Sequence, residues 1–97
     1  HYELAQNQLY SALLLYNKNK DVFGNALVFN CLGDLKIAEK KYKEAIDLYS
    51  KSLVVASRNN MQSYISYSFE WMAFAYEKLG NYKKAYEYHL KHSRIQL

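Results

Sequence analysis

The sequence predicts an all-α fold of about five helices folded back on one another as hairpins, and three observations carry that expectation. There is no proline, and there are only three glycines, Gly24, Gly33 and Gly80. Those two residue types are the usual helix breakers, so their scarcity leaves long helices joined by short turns. The pattern Tyr-x-x-Ala occurs at Tyr2–Ala5, Tyr42–Ala45 and Tyr82–Ala85, each copy 40 residues from the next. A fixed interval of that size marks a repeated supersecondary unit. Between the apolar segments lie NKNKD, EKK, SRNN and LGN. Their Asn, Lys and Asp residues favour turns and helix caps.

The first predicted helix, about 2–17, carries Leu9, Leu13, Leu14 and Leu15, more apolar surface than one neighbour covers. A hairpin unit cannot bury its own face and needs a neighbour on each side. This helix is therefore expected to pack against further repeats upstream or to self-associate. The second, about 22–39, reads in register with the fourth, about 61–79. Phe29 matches Phe69, Leu32 matches Met72, and Gly33 matches Ala73. The third, about 42–57, reads in register with the fifth, about 82–96, through Tyr42 and Tyr82, Ala45 and Ala85, and Tyr49 and His89. Small residues at Gly33, Ala45, Ala73 and Ala85 let helix axes approach. Large ones at Phe29, Tyr42, Tyr49, Phe69 and Tyr82 fill the space beside them. Gly80 suits a left-handed helix end. The last helix is more polar, with His89, His92 and Ser93 where the third has Tyr49, Ser52 and Leu53. It reads as a cap or a polar junction.

These matched positions resemble the tetratricopeptide repeat (TPR). The family pattern falls on Phe29, Leu32, Gly33, Tyr42, Ala45 and Tyr49, and again on Phe69, Met72, Ala73, Tyr76, Gly80, Tyr82 and Ala85, with His89 in the last place. The resemblance spans the whole chain. It implies one TPR-like domain over 1–97: an incomplete repeat contributing its second helix at 1–17, then repeats at 22–57 and 61–96. The implied architecture is a right-handed antiparallel helix-hairpin solenoid. The interval of 40 exceeds the family's usual 34, so the resemblance is to a long-period variant. The closing proline is absent, with Ser57 in its place, and the additional residues fall in ASRNNMQSYI. Longer units of this kind resemble those of peptide-sensing bacterial regulators.

Composition excludes several function classes. The formal net charge is +4, but only Arg58 and Arg94 are arginines. Nucleic-acid sites favour arginine forks, so nucleic-acid binding is disfavoured. The opening HYELAQNQLY lacks the features of a signal peptide, and no apolar run approaches the ~20 residues that cross a bilayer. With His1 first, the chain reads as a piece of a longer protein. The lone Cys31, flanked by apolar residues, reads as a small buried hydrophobe in a reducing, cytoplasmic setting. No phosphate loop and no nucleophile–base arrangement is present, so no catalysis is expected. His89 and His92 fall short of a metal site, since zinc takes three or four ligands, and no cofactor is expected.

What remains is recognition. The resemblance implies a concave groove lined by the first helix of each unit: Leu27, Asn30, Asp34, Ile37 and Ala38, then Tyr67, Glu70, Phe74, Glu77 and Lys78. Polar groups there suit a peptide backbone, and aromatic rings suit its side chains. Trp71 reads as core beside this groove. Family members that clamp a C-terminal carboxylate use lysine and asparagine where this chain has Glu70 and Phe74, so that mode is disfavoured. Lys40, Lys41 and Lys43 recur as Lys83 and Lys84 and form a solvated rim. The expected function is protein or peptide binding within a larger regulator or scaffold. Two alternatives stand beside it, a peptide-sensing segment of a bacterial transcriptional or signalling regulator and a homo-oligomerisation element.

Overall fold

The computed structural model describes residues 2–18 and 21–96, and part of the NKNKD break lies outside them. Five helices follow one another: α1 (Tyr2–Lys18), α2 (Val22–Ala38), α3 (Tyr42–Arg58), α4 (Gln62–Lys78) and α5 (Tyr82–Gln96). No strand occurs among the described residues. Each helix packs on the next in the chain, and α2 also meets α4, so the stack has a face built from alternate helices. The body measures 37 × 31 × 15 Å, a slab one hairpin thick.

The turns explain the regular spacing. Lys40, Asn60 and Gly80 all take a left-handed backbone, with φ of 61°, 53° and 80°. One residue later, the amides of Lys41, Met61 and Asn81 donate to the carbonyls of Lys36, Ala56 and Tyr76 at 2.8–2.9 Å. This six-to-one bond closes a helix end and reverses the chain. Two helix starts carry side-chain caps. The Asp21 carboxylate accepts from the Gly24 amide at 2.9 Å, and the Asn81 side chain accepts from the Lys84 amide at 3.2 Å.

Three apolar clusters run along the stack. Val28, Leu32 and Leu48 gather Leu9, Leu13 and Tyr16 from α1. Ala26, Ala56 and Met61 close the lower turn. Ala45, Tyr49 and Met72 join α3 to α4. Close approach depends on small residues. A Cβ at Gly33 would stand 2.7 Å from the buried Tyr49 ring, and one at Gly24 would stand 2.6 Å from Tyr16. Ala45 and Ala73 are fully buried, and Ala85 nearly so.

Some sequence expectations need correction. Tyr82 fills no gap and is 69% exposed. Its counterpart Tyr42 is sheltered by Phe74, 6.3 Å away, and no ring among the described residues is paired with Tyr82 in the same way. Leu9 and Leu13 pack on α2, while Leu4, Leu14 and Leu15 carry the exposed apolar surface of α1. A buried lysine also appears that periodicity could not announce. Lys36 Nζ donates to Gln6 at 2.7 Å and lies 3.7 and 3.4 Å from Glu39 and Glu44, tying α1, α2 and α3 together.

Candidate functional site

Two cavities flank α4, one between α2 and α4 and one between α4 and α5. The first encloses about 310 Å³. Leu27, Asn30, Cys31 and Asp34 of α2 form one wall; Ser63, Tyr64 and Tyr67 of α4 form the other. These residues recur every three or four positions, so each helix turns one stripe toward the opening. The second cavity encloses about 200 Å³ and is lined by Glu70, Trp71, Phe74 and Glu77 of α4 with His89 of α5.

Asp34 organises the first cavity. Its two carboxylate oxygens accept one hydrogen bond each, from the Tyr49 hydroxyl at 2.5 Å and from the Tyr67 hydroxyl at 2.7 Å. The two rings meet edge to face at 6.3 Å. Burial, followed by the bond to Asp34, pushes both phenols above the ordinary tyrosine value. Both therefore stay protonated and keep donating. One carboxylate thereby ties together helices α2, α3 and α4. Deeper in, the Ser68 hydroxyl donates to the buried Asn30 side chain at 3.4 Å.

Cys31 is half-buried and lines this cavity, so it is not merely core. Burial first, and then the charge of Asp34, push its thiol up. A protonated thiol is a poor nucleophile.

An aromatic ladder leads into the second cavity. Tyr67 and Trp71 lie 6.3 Å apart, Trp71 and Phe74 meet edge to face at 5.3 Å, and Tyr42 touches Phe74 from α3. Trp71 is thus a wall of the cavity, half-exposed, where sequence reasoning made it core. Its spacing of four from Tyr67 and three from Phe74 puts it on their face, and that was the available signal. His89 enters from α5, a helix whose sequence reads as a polar cap and not as part of the groove. Ile37 departs from its expected place: it packs on the Ala45–Tyr49–Met72 cluster and lines neither cavity.

The charges divide by face. Asp34, Glu70 and Glu77 are exposed on α2 and α4. Glu70 lies 3.9 Å from His92 Nε2. Lys78 lies over the Phe74 ring at 5.4 Å. The rim lysines Lys40, Lys41, Lys43, Lys83 and Lys84 are all exposed at the turns. Two of them are partly neutralised: Lys41 lies 3.2 Å from Glu39 and Lys84 lies 3.9 Å from Glu87. Among the described residues, no group of three His, Cys, Asp or Glu side chains could hold a metal ion, and no helix is long and apolar enough to cross a membrane.

No protein-family model matches the chain. No curated protein matches it either. Among solved structures, it is similar to the TPR domain of FLU from Arabidopsis (FLU-TPR). The two share 27% identity and a TM-score of 0.90 over 98% of this chain and 81% of that one. The fold is thus an all-α, right-handed antiparallel helix-hairpin solenoid of the TPR kind. The likeness supports a protein-interaction module in general terms.

Proposed function

We propose that this TPR-like chain uses the concave face formed by α2 and α4 to hold a peptide or protein segment, without catalysis, inside a larger cytoplasmic regulator or scaffold. The observation that carries the reading is the cavity between α2 and α4, whose α4 wall continues from Tyr67 through Trp71 to Phe74. Hydrogen-bonding groups of Asn30, Asp34 and Ser63 stand beside the rings of Tyr64, Tyr67, Trp71 and Phe74. Pockets that combine apolar walls with a few placed polar groups are where proteins recognise ligands. We read residues 22–57 and 61–96 as two repeats of the long-period kind, after a lone second helix at 1–17. Helix starts at 2, 22, 42, 62 and 82 support that division.

The test is capture of partner proteins by the wild-type chain and by a Tyr67→Ala, Phe74→Ala double variant. Loss of the captured partners in the variant, with helicity retained, is expected. Equal capture by both rules the face out.

Self-association through α1 is a second reading, favoured by Leu4 and Leu14, 65% and 72% exposed. Sedimentation decides it, since a monomer at high protein concentration removes it. In the peptide-sensing alternative the same face is used, and an occupied groove would alter how α2 packs against α4.

A further inference from the structure

We infer that the cavity between α4 and α5 is a receptor for an arginine side chain carried by a basic segment of a protein partner. This rests on the reading of the α2–α4 face as a binding surface and states the chemistry of what it takes. Three features converge on a cation: an aromatic wall, two flanking carboxylates, and neighbouring rings that already hold ammonium groups.

The cavity, at about 200 Å³, matches the bulk of one long side chain, and its wall is the edge-to-face pair Trp71–Phe74, 5.3 Å between ring centres. The face of an aromatic ring is electronegative and attracts cations, tryptophan most strongly. Glu70 and Glu77 flank these rings on the same helix, seven positions apart, which is about 10 Å along an α-helix. A cation seated on the rings thus has a carboxylate toward either end. Glu77 makes no hydrogen bond or ion pair among the described residues, and the contact of Glu70 to His92 is a long 3.9 Å.

The rings of this region already hold ammonium groups within the chain. Lys78 Nζ sits 5.4 Å from the Phe74 centroid, and Lys91 Nζ sits 4.8 Å from that of Tyr88. The charge distribution points the same way. The whole chain carries +4 and α5 is basic, yet the charged side chains that line this cavity are the two carboxylates Glu70 and Glu77. An acidic segment would be repelled from this face. A purely apolar one would strip water from carboxylates without replacing it. Arginine fits better than lysine because its planar, weakly hydrated guanidinium stacks on rings and bonds carboxylates through a fork of donors.

The experiment uses the whole chain. Trp71 is its single tryptophan, so intrinsic fluorescence reports this cavity directly. The probe is a blocked Leu-Ser-Arg-Leu-Ser peptide, compared with the same peptide carrying citrulline, the neutral isostere of arginine. The arginine peptide is expected to change the Trp71 emission saturably and to bind about tenfold tighter than the citrulline peptide, a ratio within reach of one desolvated cation–π contact with a carboxylate partner. In a Glu70→Gln, Glu77→Gln variant the two peptides should converge. Both glutamates are exposed, and circular dichroism of the variant checks that its helices are retained. Equal affinity of the two peptides for the wild type, or no saturable response to the arginine peptide, overturns the assignment. If Tyr67→Ala, Phe74→Ala still abolishes partner capture in that event, the binding face stands and only its cation preference falls.

Discussion

The Asp34 carboxylate is bonded by two phenols that come from different helices, Tyr49 and Tyr67, and this small network sets two properties of the molecule. The first is a response to alkali. Both phenols are raised above the ordinary value of 10.0 in the folded chain. A group whose folded pKa is raised contributes stability below its unfolded pKa and loses that contribution as pH climbs past it. The unfolded chain sheds these protons first and draws the equilibrium toward itself. Urea midpoints should therefore fall steeply above about pH 10, and Tyr49→Phe should make the decline shallower. A wild-type midpoint unchanged between about pH 9 and 11 would contradict this.

The second property is steric. Tyr49 is buried and anchored at its hydroxyl, so its ring cannot retreat from a Cβ placed 2.7 Å away at Gly33. Gly33→Ala is expected to cost about 1–3 kcal/mol, the usual penalty of overpacking a close contact. Chemical denaturation measures it, and a variant as stable as the wild type would show that the ring has room to move.

Among the elements, the turns carry the next prediction. Lys40 and Gly80 occupy equivalent left-handed positions, and only glycine adopts that backbone without a steric cost. Nothing lies within 4 Å of a Cβ built at Gly80, so the constraint there is the backbone itself and not crowding. Lys40→Gly should therefore stabilise the chain by about 0.5–1 kcal/mol. Gly80→Ala should destabilise it by a similar amount, both read from thermal or urea unfolding. These turns also show what a sequence discloses. The Leu79–Gly80 end was legible because glycine advertises it. Asn60 lies in the SRNN break and is of the other residue type that such ends accept, whereas nothing in the chemistry of Lys40 announces its left-handed backbone, which the helices on either side impose.

The helices themselves were legible to within one or two residues, since the spacing of small and large residues follows from which faces must meet. Contacts across the stack were a different matter. Asp34 lies 15 residues from Tyr49 and 33 from Tyr67. Lys36 lies 30 residues from Gln6. A repeat pattern assigns a face to such residues and leaves their partners unspecified. The groove positions Leu27, Asn30, Asp34, Tyr67, Glu70, Phe74 and Glu77 do line the two cavities. Ser63, Tyr64 and Trp71 share the α4 face of Tyr67 and Phe74 and are legible from helical spacing, whereas His89 comes from α5 and only the packing of α5 on α4 brings it there.

At the scale of the whole molecule, neighbours decide stability. The backbones of α2, α3 and α4 are flanked closely by helices on two sides, whereas that of α1 lies close to α2 and that of α5 close to α4. In a linear stack each unit draws stability from the units beside it. Backbone amides of α1 should accordingly exchange with solvent at least about tenfold faster than those of α3 and α4. Comparable protection throughout would mean that the stack opens only as one cooperative body. Two contacts pin α1 in place: the Leu9–Leu13 stripe on Val28 and Leu32, and the bond from Lys36 to Gln6.

The two hairpins look interchangeable on paper, yet one absent methyl group keeps them apart. Tyr49 nests against Gly33, where an added Cβ would stand 2.7 Å from its ring; the residue in register with Gly33 on α4 is the fully buried Ala73, and the one in register with Tyr49 on α5 is the exposed His89. A folding chain that tried to seat α3 in the place of α5 would drive a phenol into that methyl. The error is therefore penalised at once, and a nearly periodic chain retains a single order of assembly.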